Sequence, residues 1–214
     1  MPAIEQSELR NRLLRQLSPD DFALLADHLE PFACERGDVL FKADQLIGHA
    51  HFLDEGVGSL IASSSEGQRV EAGLFGREGF TPVCATMETD WASYDALIQL
   101  SDSGHRIPIG ALQDAAERSA SLRSLPLRNG EAPNVQIGFT ALSNAVHAVE
   151  ERLARWLLVC HDRVRRPSVT TALHILEGNG FIRSERRCVI IRNRAALRSS
   201  PATPTACRRL RIGG

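Results

Sequence analysis

The most regular pattern of apolar positions in the chain runs from 135 to 160. Val135, Phe139, Leu142, Val146, Val149, Leu153, Trp156 and Cys160 recur at alternating steps of four and three, with Asn144, Glu150, Glu151, Arg152 and Arg155 between them. That spacing is a heptad seam and predicts one long helix, with Pro133 at its start. The functional reading is a two-stranded coiled coil joining two copies of the chain. Its interface is Val135, Phe139, Leu142, Val146, Val149, Leu153 and Trp156. The alternative is a helix packed on its own domain.

Shorter patterns precede it. Residues 7–17 read as a helix with Leu9, Leu13, Leu14 and Leu17 on one side. Ser18-Pro19-Asp20-Asp21 carries the marks of a second start: a hydroxyl cap, a proline in the first turn, and acids near the helix N-terminus. Phe22, Leu25 and Leu29 continue its buried stripe. From Pro31 to Ile109 short apolar segments alternate with glycine turns. Strands are expected at 39–41, 50–53, 57–62, 70–75, 96–100 and 106–109. Strands of this number and spacing suggest a jelly roll. A helix over 111–123 follows, then a break over 126–133 that contains Pro126, Asn129-Gly130 and Pro133.

Near the C-terminus, Arg165 to Gly180 reads as one short amphipathic helix and its stop. Val169, Leu173 and Leu176 form the apolar stripe, Pro167 fits the first turn, and Gly178 and Gly180 end it. Arg165, Arg166, Ser168, Thr170, Thr171 and His174 lie off the stripe. A basic, hydroxyl-rich helix start suits DNA, because arginine pairs bidentately with guanine and a helix N-terminus favours phosphate.

Charge sharpens this picture. The net charge of −1 hides a division. Residues 163–214 hold 12 Arg, no Lys and two acids, Glu177 and Glu185; the other 162 residues hold 13 basic and 24 acidic side chains. An acidic body with a basic end points to nucleic acid at that end.

The segment from Arg165 to Arg183, followed by Cys188-Val189-Ile190-Ile191, resembles the recognition helix and wing of Crp/Fnr-type bacterial transcription regulators, relatives of the cyclic-AMP receptor protein. Val149 to Leu158 resembles the end of their dimer helix. Gly76-Arg77-Glu78-Gly79-Phe80 falls where their cyclic-nucleotide phosphate cassette begins. The resemblance implies an α+β chain: an N-terminal β jelly roll like a cyclic-nucleotide-binding domain (1–125), a dimerisation helix (126–163) and an incomplete winged helix-turn-helix with a disordered tail (164–214). It further implies a homodimer on a palindromic site in double-stranded DNA. The DNA-contacting set is Arg165, Arg166, Ser168, Thr170, Thr171 and His174, with Arg186 and Arg187 in the wing. Gly76, Arg77, Glu78, Gly79 and Ser93 are the candidates for holding an unknown small-molecule effector.

Three departures qualify the resemblance. The family's phosphate-clamping arginine is replaced by Ala92, beside Asp90 and Asp95, so cyclic AMP is not the expected effector. His161-Asp162-Arg163-Val164 runs straight into Arg165, leaving no segment for the first helix of a helix-turn-helix. DNA binding is therefore expected to be weakened. After Leu197, two prolines and no apolar stripe give a tail that reads as disordered, and as the product of a shifted reading frame.

Two other functions compete. A β-roll can sense a ligand and dimerise without touching DNA. A jelly roll can also be a cupin enzyme, and His49, His51 and Glu55 have a ligand-like spacing. The second cupin motif is missing, however, and the two histidines are expected on a solvated strand face opposite Ala50 and Phe52. No other catalytic set, P-loop or resident cofactor is indicated. Cys34, Cys84, Cys160, Cys188 and Cys207 form no CxxC pair. That spacing, with no signal peptide and no apolar run of membrane-spanning length, gives the expectation of a reduced cytoplasmic protein, with no metal site and no membrane partner.

Overall fold

The structure, a computed structural model, describes residues 4–86, 89, 91–100, 102–163, 182–185, 188–191 and 209–211. They form two compact units, Met1–Ile137 and Gly138–Gly214.

The first unit opens with a surprise for the apolar pattern. The helix expected over 7–17 is split into a single 3-10 turn, Gln6–Glu8, and a short helix α1, Arg12–Gln16. Asn11 causes the split. Its side-chain oxygen accepts from Leu13 N and Leu14 N, which makes it the cap of α1. Gln6 closes the other side by donating from Nε2 to Leu14 O and Leu17 O. Helix α2, Pro19–Ala26, starts as its sequence predicts: Ser18 Oγ accepts from Asp21 N, and Phe22 and Leu25 are buried.

Seven strands follow: β1 Glu30–Cys34, β2 Val39–Phe41, β3 His49–Leu53, β4 Val57–Ser63, β5 Arg69–Phe75, β6 Asp95–Leu100 and β7 Asp102–Pro108. They make two antiparallel sheets, ordered β1-β7-β3 and β2-β6-β4-β5. Six strands match the expected segments. β1 is new; it carries Pro31 and sits at a sheet edge, where a missing N–H is tolerated. β7 begins at Asp102, inside what the sequence suggests is a turn. Gly104 belongs to the strand because a Cβ there would overlap the Phe52 carbonyl, so close backbone approach calls for glycine. The turns at Gly37 and Gly67 hold φ of 98° and 80°, as glycine permits.

Each face of the β1-β7-β3 sheet is covered. On one side Ala50, Phe52 and Ile107 pack with Leu14, Phe22, Leu25 and Leu112, so helices cover it. On the other, Leu53 and Cys34 meet Ile98 of β6, with Phe32, Leu40 and Phe75 around them. This is the interior of the roll. The sequence expectation for His49 and His51 is therefore corrected. Their face is the one opposite Ala50 and Phe52, and it is directed between the sheets: His51 is 8% exposed.

Helix α3, Ile109–Arg118, ends at Ser119, and helix α4, Ala120–Val146, begins directly after it. Ser119 Oγ accepts from Leu122 N, and the Ser119 and Ser121 hydroxyls both donate to Asp21 of α2. The break expected over 126–133 does not occur; α4 runs through Pro126, Gly130 and Pro133. An internal proline removes one helix bond and crowds the preceding turn, at about 3 kcal/mol. Buried Leu122 and the packing of Gly130, Pro133 and Ile137 against the roll offset that cost.

The chain interrupts its helix later instead, at His147–Ala148, and resumes as α5, Val149–Arg163. The single seam helix is thus two helices. The second unit also contains an antiparallel sheet, ordered β10-β9-β8, of β8 Ile182–Glu185, β9 Cys188–Ile191 and β10 Arg209–Arg211. The tail expected to be disordered returns at 209–211 to pair with β9, Arg209 opposite Ile190.

Candidate effector pocket

A cavity of about 220 Å³ lies between the β-roll and the first half of α4. Phe41, Leu60, Leu74 and Phe75 form the sheet wall; Phe80 to Cys84 and Ala92 to Tyr94 form its rim. Gly130, Pro133, Asn134 and Ile137 of α4 close it. Glycine at 58 lets the Phe75 ring lie on the neighbouring strand, because a Cβ there would overlap that ring.

The wall is apolar with a few neutral polar groups, Thr81, Ser93, Tyr94, Asn134 and the Cys84 thiol. Burial pushes the Cys84 pKa up, so it stays a thiol, and its Sγ lies 3.7 Å from Trp91 O. Among the described residues no charged side chain lines the cavity. Ala92, where the resemblance implies an arginine, is 3% exposed and part of this wall. Among the described lining residues a cyclic phosphate buried here finds no cation to pair with.

Of the five effector candidates, only Ser93 lines the cavity. The loop Gly76, Arg77, Glu78 and Gly79 is held instead by the N-terminal segment. Arg12 N donates to Arg77 O at 2.7 Å, and Asn11 Nδ2 donates to Gly79 O and Leu53 O at 2.9 Å each. Asn11 is 0% exposed, so all of its amide chemistry is spent inside the fold. Sequence reasoning missed it, although an Asn two residues before a Leu-Leu pair is a usable cap signal.

The dimer candidates divide between the helices. On α4, Val135, Phe139, Leu142 and Val146 are each about half exposed, a row of apolar side chains left uncovered among the described residues. On α5, Leu153 and Cys160 are buried and Trp156 is half-buried; the side chain of Val149 lies outside the described residues. Two hydrogen bonds fix the interruption: Ser143 Oγ to His147 Nδ1 at 3.0 Å, and Ala148 N to Glu151 Oε2 at 2.8 Å, the return half of a capping box. Arg155 Nη1 then reaches Thr140 Oγ1 at 3.3 Å. A straight helix would hold positions 15 apart at about 22 Å, so the chain folds back. Burial lowers the Arg155 pKa.

The DNA-binding candidates Arg165, Arg166, Ser168, Thr170, Thr171, His174, Arg186 and Arg187 lie outside the described residues. The hairpin that would carry Arg186 and Arg187 is formed, with β8 and β9 paired from Ile182–Ile191 to Glu185–Cys188. The cupin grouping is not assembled: the Glu55 carboxylate pairs with Arg10 at 2.7 Å. Cys34, Cys84 and Cys160 are free thiols. Among the described residues no helix is long and apolar enough to cross a membrane.

No family model matches the chain, and no curated protein matches it. Solved structures do. A transcriptional regulator of the crp/fnr family from Eubacterium rectale aligns over 87% of this chain and 95% of its own, with a TM-score of 0.61 at 13% identity. The c-di-GMP responsive global regulator CLP of Xanthomonas campestris aligns over 81% and 99%, with a TM-score of 0.56 at 15% identity. FixK2 from Bradyrhizobium japonicum gives the same coverage and TM-score at 16% identity.

The chain has the Crp/Fnr fold.

In Crp/Fnr terms, the first unit is the cyclic-nucleotide-binding-like roll, and the cavity against α4 is its interior pocket.

Proposed function

We propose that the protein is a dimeric, DNA-binding transcription regulator of Crp/Fnr type, with an uncharged effector in place of cyclic AMP. The observation that carries this reading is the Crp/Fnr fold over most of the chain. The charge division adds to it, because the basic residues gather in the last quarter. The four exposed apolar side chains of α4, Val135, Phe139, Leu142 and Val146, serve as the dimer seam. The apolar pocket takes a small, largely uncharged molecule, with Ser93, Tyr94 and Asn134 as its hydrogen-bonding contacts.

The missing first helix of the helix-turn-helix has a substitute in this reading. Because the seam helix breaks at His147–Ala148, α5 becomes a separate element immediately before Arg165. We infer that α5 stands in for that first helix in the DNA-binding unit. The test is selection of bound sequences from a random duplex DNA pool by the purified chain at moderate salt. A two-fold symmetric motif supports the proposal. Binding with no motif and only a steep salt dependence overturns it and leaves a ligand-sensing dimer with a basic end.

A further inference from the structure

A second cavity shares only Phe41 with the lining of the effector pocket. About 330 Å³ in volume, it lies between β2 with its following loop and the β3–β7 pair. Its wall carries Lys42, Gln45, His49, His51 and Arg106. No carboxylate lines it among the described residues. The topology creates this cluster. His49 and His51 share a face of β3, Arg106 stands opposite His51 in register on β7, and Lys42 follows β2 on the facing sheet.

His51 is the informative member. It is 8% exposed, and its Nδ1 has no hydrogen-bond partner among the described residues. Its ring lies edge-on to Phe32 at 5.3 Å and 6.4 Å from the His49 ring. A buried polar atom left without a partner costs free energy unless something supplies one. Arg106 spends Nε on Glu30 of β1 at 3.0 Å, and that pair is half-exposed.

We propose that this cavity is a binding site for a small oxyanion, the carboxylate or phosphate group of a metabolite, held by Arg106, Lys42, His49 and the Nδ1 of His51. Arginine supplies the planar fork, lysine the point charge and the imidazoles directional donors. The oxyanion in turn supplies an acceptor for the His51 Nδ1 and a counter-charge beside Lys42.

The state of His51 without ligand agrees with this. Burial, then the neighbouring His49 and Arg106, lower its pKa to about 4, while its hydrogen bond with the Thr81 backbone works the other way. The ring is neutral at pH 7. An anion beside it favours the protonated form, so binding takes up a proton and tightens as pH falls. The groups facing His51 are His49 on its own strand, Arg106 with Glu30 from β7 and β1, and Lys42 from the β2 loop.

Sulfate is the probe of choice, because its charge is constant from pH 5 upward. It is titrated calorimetrically into the full chain at fixed ionic strength in chloride, alongside succinate. The expected result is one saturable site, weakened about tenfold in Arg106→Gln and weakened also in Lys42→Gln. Lys42 is exposed, so that variant leaves the fold intact. Proton NMR of the histidine ring should show the His51 pKa rising on saturation. Tighter succinate marks a carboxylate ligand, and tighter sulfate marks a phosphate-like one. Absence of a saturable site, or equal affinity in wild type and both variants, overturns the proposal.

Discussion

Asn11 joins three parts of the chain through one amide. Its oxygen caps α1, and its Nδ2 reaches the end of β3 and the Gly76–Gly79 loop. Asn11→Ala removes the cap and strands two buried carbonyls, each worth about 1 kcal/mol or more. The expected loss is about 3 kcal/mol, seen as a lower urea midpoint of the first unit. Its cap role was readable from sequence, but its partners at 53 and 79 were not, because no local pattern links residues so far apart. His51 teaches a related lesson. Strand alternation correctly put His49 and His51 on one face, yet alternation alone cannot say which face meets solvent when both are covered. With a folded pKa of about 4 against 6.5 when unfolded, the unfolded state binds the extra proton between those values. Stability is therefore full above pH 6.5 and falls as pH drops towards 4, by about 3 kcal/mol at the limit. His51→Gln should flatten that part of the stability-pH curve, as followed by urea midpoints at each pH; an unchanged curve would show that His51 titrates normally. Asp21 works with the opposite sign. Hydroxyl donation from Ser119 and then Ser121 lowers its pKa, outweighing burial. Its contribution is present above its ordinary value of 3.8 and is lost as pH falls below it.

At the scale of elements, the seam from Val135 to Cys160 was legible as a helical period and illegible as two helices. Period measures which side chains share a face within a helix, and it carries on unchanged across 147–148 although the α4 positions are exposed and Leu153 and Cys160 of α5 are buried. The break depends on Ser143, His147 and Glu151, whose bonds satisfy the ends of both helices. Ala148 in the cap position lacks the hydroxyl that would have marked the start of α5. The opposite error arises at Pro126 and Pro133, where local propensity predicts a break and packing against the roll keeps the helix. In the proposed dimer the seam is therefore shorter, confined to α4. Phe139 is its most central exposed member at 57%. Phe139→Glu places a charge where two copies would bury it, so light scattering after size exclusion should show half the mass of the wild type. The urea midpoint of the roll should not move, since Phe139 lies outside the first unit. Leu153→Glu is the contrast: Leu153 is buried in the single chain, so that change should lower the urea midpoint of the chain itself and not merely separate two copies.

For the whole molecule, identity to the matching structures is only 13–16% over the three compared, yet their shape recurs over most of the chain. What is shared is the fold; in the pocket of this chain Ala92 puts a methyl group where the resemblance implies an arginine. The charge division carries the remaining functional weight, and it makes a separable prediction. Net charge attracts any duplex, because each phosphate neutralised releases counterions irrespective of sequence. A recognition residue acts differently, since a bidentate arginine–guanine pair distinguishes one base from another. Arg166 belongs to the candidate recognition helix and Arg208 to the tail. Arg166→Ala should therefore abolish preference for the selected motif while leaving affinity for random duplex nearly unchanged. Arg208→Ala should weaken binding to every duplex alike and reduce the slope of log affinity against log salt by about 0.9. If both substitutions act alike, through the salt slope alone, the basic end binds DNA as a charge and not as a reader. The Crp/Fnr fold would then carry a sensor whose output is something other than an operator.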